Sequence, residues 1–150
     1  MISYRKELRR GVKDYVDPLL AHPVGMMIGY FSVAVLQLIV FLWCFELVTK
    51  YKCWDEIKRG NVSVAMATGG KIFGICNVMR FSIEAHSSVY GSLGWSLVGF
   101  LLLMVAYFLF EFLTPVFNID KEIASDNRAI GLISMIISIS LSYVIGASIL

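Results

Sequence analysis

Lys71 is the residue of this chain whose chemistry most demands an explanation. It stands about ten residues into an apolar run over 61–85, which the helical rise of about 1.5 Å per residue places about 15 Å below the run's start. Near the centre of a bilayer an ammonium costs about 2.5–3.5 kcal/mol even on lenient insertion scales, so a lysine there faces protein or trapped water, or is neutral. Helical side chains lean toward their own N-terminus. Lys71 therefore reaches back toward the level of Glu46 and Glu111. A contact with Glu46 or Glu111 is one expectation. The other is a structural role, in which Lys71 snorkels and hydrogen-bonds Gln37 or a backbone carbonyl.

Glu46 and Glu111 hold equivalent places in two similar segments, Phe45-Glu46-Leu47-Val48-Thr49 and Phe110-Glu111-Phe112-Leu113-Thr114. Two related carboxylates near a symmetry axis suit cation binding or proton relay, as intramembrane acids often do. The plainer reading has each acid cap its loop through backbone N–H groups or the paired Asn61 or Asn127. That reading comes first, because acids at span ends cost far less than central ones. Asn61 and Asn127 follow short polar loops and suit the N-cap position of the spans after them. Arg80 and Glu84, four residues apart, share a helix face. Near an interface they read as an ion pair that reaches the headgroups.

A second pattern concerns association rather than chemistry. Ser134, Ser138, Ser142 and Gly146 recur every fourth residue, with Asn127 and Gly131 extending the stripe. Ala65, Thr68, Gly70, Gly74 and Cys76 echo it in the earlier run. Small residues at this spacing let another helix backbone approach closely, so packing is the leading reading and a polar lining for a solute path the alternative. The two stripes are expected to meet each other or copies from neighbouring protomers.

Other chemistries find little purchase. The sequence has no GxSxG elbow, HExxH, P-loop or dinucleotide fingerprint, and no Cys/His cluster with zinc-ligand spacing. No enzyme activity, cofactor or metal is expected. Cys44, Cys53 and Cys76 form no even-numbered framework and read as inert thiols. A net charge of +2 is too small to suggest nucleic acid.

The elements that must carry these residues follow from composition. The chain has 150 residues, 58% of them hydrophobic, and a mean hydropathy of +0.75, above the usual 45–50% apolar content of soluble domains. Four apolar runs, over about 25–48, 61–85, 92–113 and 127–150, each match an oily layer about 30 Å thick. Glu56-Ile57 followed by Asn61 reappears as Glu122-Ile123 followed by Asn127, so the unit is a two-span hairpin present twice, over 25–90 and 91–150. Tandem hairpins place both termini on one side. Residues 1–24 form a separate segment, without a removable signal peptide. Tyr4, Leu8, Val12, Tyr15, Val16 and Leu19 share one face and Arg5, Lys6, Arg9, Arg10 and Lys13 the other. This is a basic amphipathic helix suited to an anionic lipid surface, with a solvated helix or a docking arm for a partner protein as the alternative. The charge counts of the two sides nearly cancel, and the dense basic face tips the expectation to a cytoplasmic N-terminus.

The run from Glu56-Ile57 through Asn61-Val62-Ser63 to Gly69-Gly70, and its second copy from Glu122-Ile123 through Asn127 to Gly131, resembles the bacterial inner-membrane family known as domain of unknown function 350. The resemblance covers about 25–150. It implies four spans from a tandem two-span module, a bacterial cytoplasmic membrane and no assigned activity. The long basic N-terminal helix and Lys71 depart from it. The fold expected is an all-α membrane protein of four transmembrane helices in two hairpins, with an N-terminal interfacial helix. The leading function is a small structural or accessory subunit that self-associates or joins a larger membrane complex through its small-residue faces. The alternatives are an ion or proton pathway using Glu46, Glu111 and Lys71, and a lipid- or stress-sensing scaffold.

Overall fold

A computed structural model describes residues 22–86, 88–113 and 118–150, with side chains in the third span described through residue 110. The basic N-terminal face (Arg5, Lys6, Arg9, Arg10, Lys13), Thr114, Pro115 and the Glu111 side chain lie outside it. The described residues form four long helices and two short ones. These are α1 (Pro23–Val48), α2 (Cys53–Lys58), α3 (Val62–Ala85), α4 (Val89–Leu113), α5 (Ile119–Ala124) and α6 (Arg128–Ile149). The four long ones have the length and composition to cross a membrane. The two short ones lie within segments that read as loops in the sequence.

Each start has a local cause. Pro23 opens α1 with the imino ring where an N–H would be unpaired, and His22 Nδ1 accepts from Val24 N–H at 3.4 Å. Asn61, Asn118 and Asn127 cap α3, α5 and α6 through side-chain oxygens that accept N–H bonds from the residues three positions onward, Val64, Lys121 and Ile130.

Helix α3 is the centre of the bundle. In its membrane window 61% is buried, against 11% in α1, 22% in α4 and 28% in α6. The least apolar span is thus the one most shielded from lipid, which is why it tolerates Lys71 and Asn77. Its main partner is α6. A Cβ on Gly70 would lie 2.6 Å from Met135 Cα, one on Gly131 2.7 Å from Ser63 O, and one on Gly74 3.2 Å from Ser138 O; Phe81 fills the space over Gly146. Ser134 and Ser142 are buried in the same seam and Ser138 half-buried. The small-residue stripes therefore join α3 to α6 within one chain. Of the two expected arrangements, this is the one in which the stripes meet each other. Cys76 and Ala65 fall outside the seam and are exposed.

Two apolar cores lie along the bundle. Phe41 and Phe45 of α1, Ile75, Val78 and Met79 of α3, and Phe100 and Leu103 of α4 form the larger, with Phe41 and Phe100 stacked at 3.9 Å between centroids. The second lies at the loop end, where Tyr51, Cys53, Ile119 and Ile123 pack on Val64 and Ala67.

Candidate functional site

The loop end is built from one device used twice. Asn61 Nδ2 donates to Glu56 Oε2 at 3.4 Å, and Asn127 Nδ2 to Glu122 Oε2 at 2.8 Å. Their backbone N–H groups donate to the carbonyls of the same two glutamates at 3.1 and 3.0 Å. The residue before each asparagine is left-handed, Gly60 at φ 88° and Asp126 at φ 61°. Glycine adopts that conformation freely and aspartate only locally. Asp126 gains something in return: its Oδ1 accepts from Ser63 N–H at 2.9 Å, at the start of α3. That bond, aided by Arg128, holds the Asp126 carboxyl below the usual range against the opposing effect of desolvation. Ser63 Oγ donates to the Asn127 carbonyl at 2.8 Å, and Asn61 Nδ2 also donates to the Ile123 and Ala124 carbonyls at 3.3 and 2.9 Å. The two hairpin loops are laced together.

The acids that serve the asparagines are thus Glu56 and Glu122, not Glu46. A tight turn folds Glu56 and Glu122 back onto the caps, whereas Glu46 lies ahead of α2. The Glu46 side chain is half-buried, and its carbonyl accepts from Thr49 Oγ1 at 3.3 Å.

Beneath this platform sits Lys71, 3% exposed. Its Nζ lies 5.3 Å from the Phe45 ring centroid, 5.8 Å from Tyr51 and 5.0 Å from Tyr107. A desolvated ring face favours a cation by about 2 kcal/mol, so three faces offset much of the burial cost. Asp120 and Cys53 lie near enough to act on its charge. Asp120 is 2% exposed; its Oδ1 accepts from Tyr107 O–H at 2.8 Å and its Oδ2 from Lys50 N–H at 3.2 Å. Among the described residues, Lys71 Nζ has no hydrogen-bond partner, and neither has the buried Thr68 Oγ1 one turn away. A cavity of about 20 Å³ adjoins Lys71, bounded by Phe45, Tyr107, Ser134, Ile137 and Ser138. That is room for about one water, which needs roughly 10–15 Å³ by this measure. On the loop side, Asp120 also lines an open hollow of about 240 Å³ with Lys50, Tyr51, Asn118 and Lys121.

Lys71 leans toward the loops, as helix geometry requires, but no ion pair joins it to Glu46 among the described residues. Gln37 is engaged elsewhere. Its Nε2 donates to the Leu93 carbonyl at 3.2 Å and its Oε1 accepts from Ser96 Oγ at 3.0 Å. Toward the far end of the α3–α6 seam, Asn77 Nδ2 donates to Ser142 Oγ at 3.0 Å. Further on come the buried Ser82 Oγ, without a partner among the described residues, and His86, whose Nδ1 lies 3.2 Å from the Ser82 carbonyl. Arg80 and Glu84 pair at 3.2 Å on the outer surface, both more than half exposed, away from this seam.

Asp120 is the residue that sequence reasoning missed. The acidic loop hid a six-residue helix whose Ile119, Asp120 and Ile123 all face inward. The available signal was Asn118 as a cap followed by isoleucines four apart.

Comparison with known proteins places this geometry in a family. The model of the family described as Domain of Unknown Function (DUF350) matches residues 18–149. The chain belongs to the DUF350 family. This DUF350 chain is also 58% identical, over 121 residues, to the UPF0719 transmembrane protein YshE of Bacillus subtilis (strain 168), covering 81% of this chain and 90% of that protein. No solved structure matches. The DUF350 chain is thus an integral, multi-pass membrane protein of unassigned activity.

Proposed function

We propose that this protein is a proton-transfer component of the bacterial cytoplasmic membrane, with Lys71 as its central carrier. One observation carries the reading: a lysine 97% removed from the surface, without a hydrogen-bond partner among the described residues, aimed into a cavity lined by Ser134 and Ser138. An intramembrane ionisable group that faces the interior of a bundle is a functional-site candidate by default. The cavity's size favours protons over other ions, because about 20 Å³ admits about one water and no hydrated cation. Along the α3–α6 seam, Asn77 and Ser142 share a hydrogen bond, and the buried hydroxyls of Thr68 and Ser82, without partners among the described residues, supply further polar groups. The bacterial relative and the helical spans support the location.

A structural or accessory role in a larger complex is the second reading. It rests on α1, whose membrane window is 11% buried and which offers an outward face with Phe31, Leu36 and Trp43. It no longer rests on the small-residue stripes. A lipid-sensing role would rest on residues 1–21, outside the described structure.

The test is flux. The full chain, reconstituted in vesicles with an internal pH dye and a potassium diffusion potential, is expected to acidify the lumen. Lys71→Met should lower that rate by roughly 10²-fold, the lower end of what a positioned proton-transfer group contributes, while gel-filtration size and melting stay those of the wild type. Wild-type vesicles as tight as bare lipid would refute the proposal.

A further inference from the structure

We infer that Asp120 is the port through which protons pass between the loop-side hollow and Lys71, with the Tyr107 hydroxyl as the link. The inference rests on the carrier role proposed for Lys71. Asp120 is the one described carboxylate that is buried and also lines an open hollow. Tyr107 lines the inner cavity beside Lys71 and donates its O–H to Asp120 at 2.8 Å. The three groups therefore lie in order from the interior to the surface, with the small cavity adjoining Lys71 and Tyr107. The Lys50 N–H on the second carboxylate oxygen holds Asp120 with one oxygen toward Tyr107.

The transfer balances. An N–H bond of the Lys71 ammonium breaks, its electron pair stays on nitrogen, and the proton passes through a cavity water to the Tyr107 oxygen. The Tyr107 hydroxyl proton moves in turn to Asp120 Oδ1. The products are a neutral amine, an unchanged phenol and a neutral carboxylic acid, which then gives its proton to water or buffer base in the hollow. Entry is the reverse sequence. One intervening water is within the reach that proton transfer requires.

The pH response of this row depends on the described groups that face Lys71. From α1 that is the Phe45 ring, from the following turn Tyr51, and from α2 Cys53. Among the described residues, α4 presents Tyr107, α5 presents Asp120, and α6 presents Ser134, Ile137, Ser138 and Leu141, none of them titratable. Among the described residues, Asp120 is the one carboxylate in this set.

The experiment uses the full chain in the same vesicles. Asp120→Asn and Tyr107→Phe should each lower the flux roughly 10²-fold, and Asp120→Glu should restore most of it. Infrared difference spectra across an acid titration should show, among the carboxylic-acid bands of wild type and Lys71→Met, one component that is missing in Asp120→Asn. Full flux in Asp120→Asn or Tyr107→Phe, with Lys71→Met inactive, overturns the port and leaves the carrier standing. No flux in wild type overturns both. If Asp120→Asn loses its native size, Tyr107→Phe decides the matter alone, since it keeps Asp120 and its Lys50 bond.

Discussion

Gly69 and Gly70 are neighbours in one helix, yet alanine should act on them in opposite directions. A Cβ at Gly69 meets nothing within 4 Å, whereas a Cβ at Gly70 would sit 2.6 Å from Met135 Cα and 3.0 Å from Met135 O. Carbon atoms rest at about 3.5–4.0 Å, so the Gly70 seam must open by about 1 Å. Both substitutions gain the same helix propensity, about 0.8–1.0 kcal/mol. Only Gly70→Ala pays the overpacking cost, about 1–3 kcal/mol, and the obstacle is backbone, which has no rotamer to escape into. The propensity cancels between the two variants. Their difference in unfolding free energy should be about 1–3 kcal/mol, a factor of roughly 5–150 in the equilibrium constant. Reversible unfolding in mixed micelles, followed by circular dichroism, measures it. Equal stabilities for Gly69→Ala and Gly70→Ala would refute the α3–α6 seam, and with it the frame in which Lys71 is buried.

The same seam predicts a coupling between Asn77 and Ser142, whose side chains bond at 3.0 Å. A double-mutant cycle with Asn77→Val and Ser142→Ala should give about 0.6 kcal/mol and at most about 1.7; zero coupling would remove that bond. Asp126 predicts an acid sensitivity at the loop end. Its folded pKa is lowered, chiefly by the Ser63 N–H, so its contribution is fully present above the unfolded value of about 3.9 and is lost as pH falls through the folded one. Melting temperatures from neutral pH downward should fall less steeply in Asp126→Asn than in wild type, and parallel curves would show that the cap contributes nothing.

Much of the frame was legible because lipid imposes simple rules. A span must be long and apolar, and a helix after a polar loop needs a cap; both leave signatures near Asn61 and Asn127. What was not legible depends on partners. A stripe at Ser134, Ser138, Ser142 and Gly146 reads alike whether the facing helix belongs to the same chain or to another. The structure answers with Gly70 and Gly74 opposite Met135 and Ser138. The direction of Lys71 followed from helix geometry, but its carboxylate neighbour did not: Asn118 and the isoleucines four apart mark the short helix α5, yet nothing in them says that this helix packs over Lys71.

The buried charge sits where the two hairpins disagree. Aligning Asn61 with Asn127 sets Lys71 against Ile137 and Asp120 against Trp54. Ile137 lines the same small cavity as Lys71, and Trp54 is half exposed where Asp120 is buried. Two identical hairpins would have to put the same residue on both walls. Two lysines would repel in a medium that screens poorly, and two isoleucines would leave no site. Only hairpins with different sequences can place one ammonium opposite an apolar wall, with one carboxylate above it. A hairpin pair joined in one chain is free to diverge in this way. Replacing Ile137 by lysine should therefore lower the melting temperature, because a second ammonium would enter the cavity that Lys71 lines; an unchanged melting temperature would refute this account of the asymmetry.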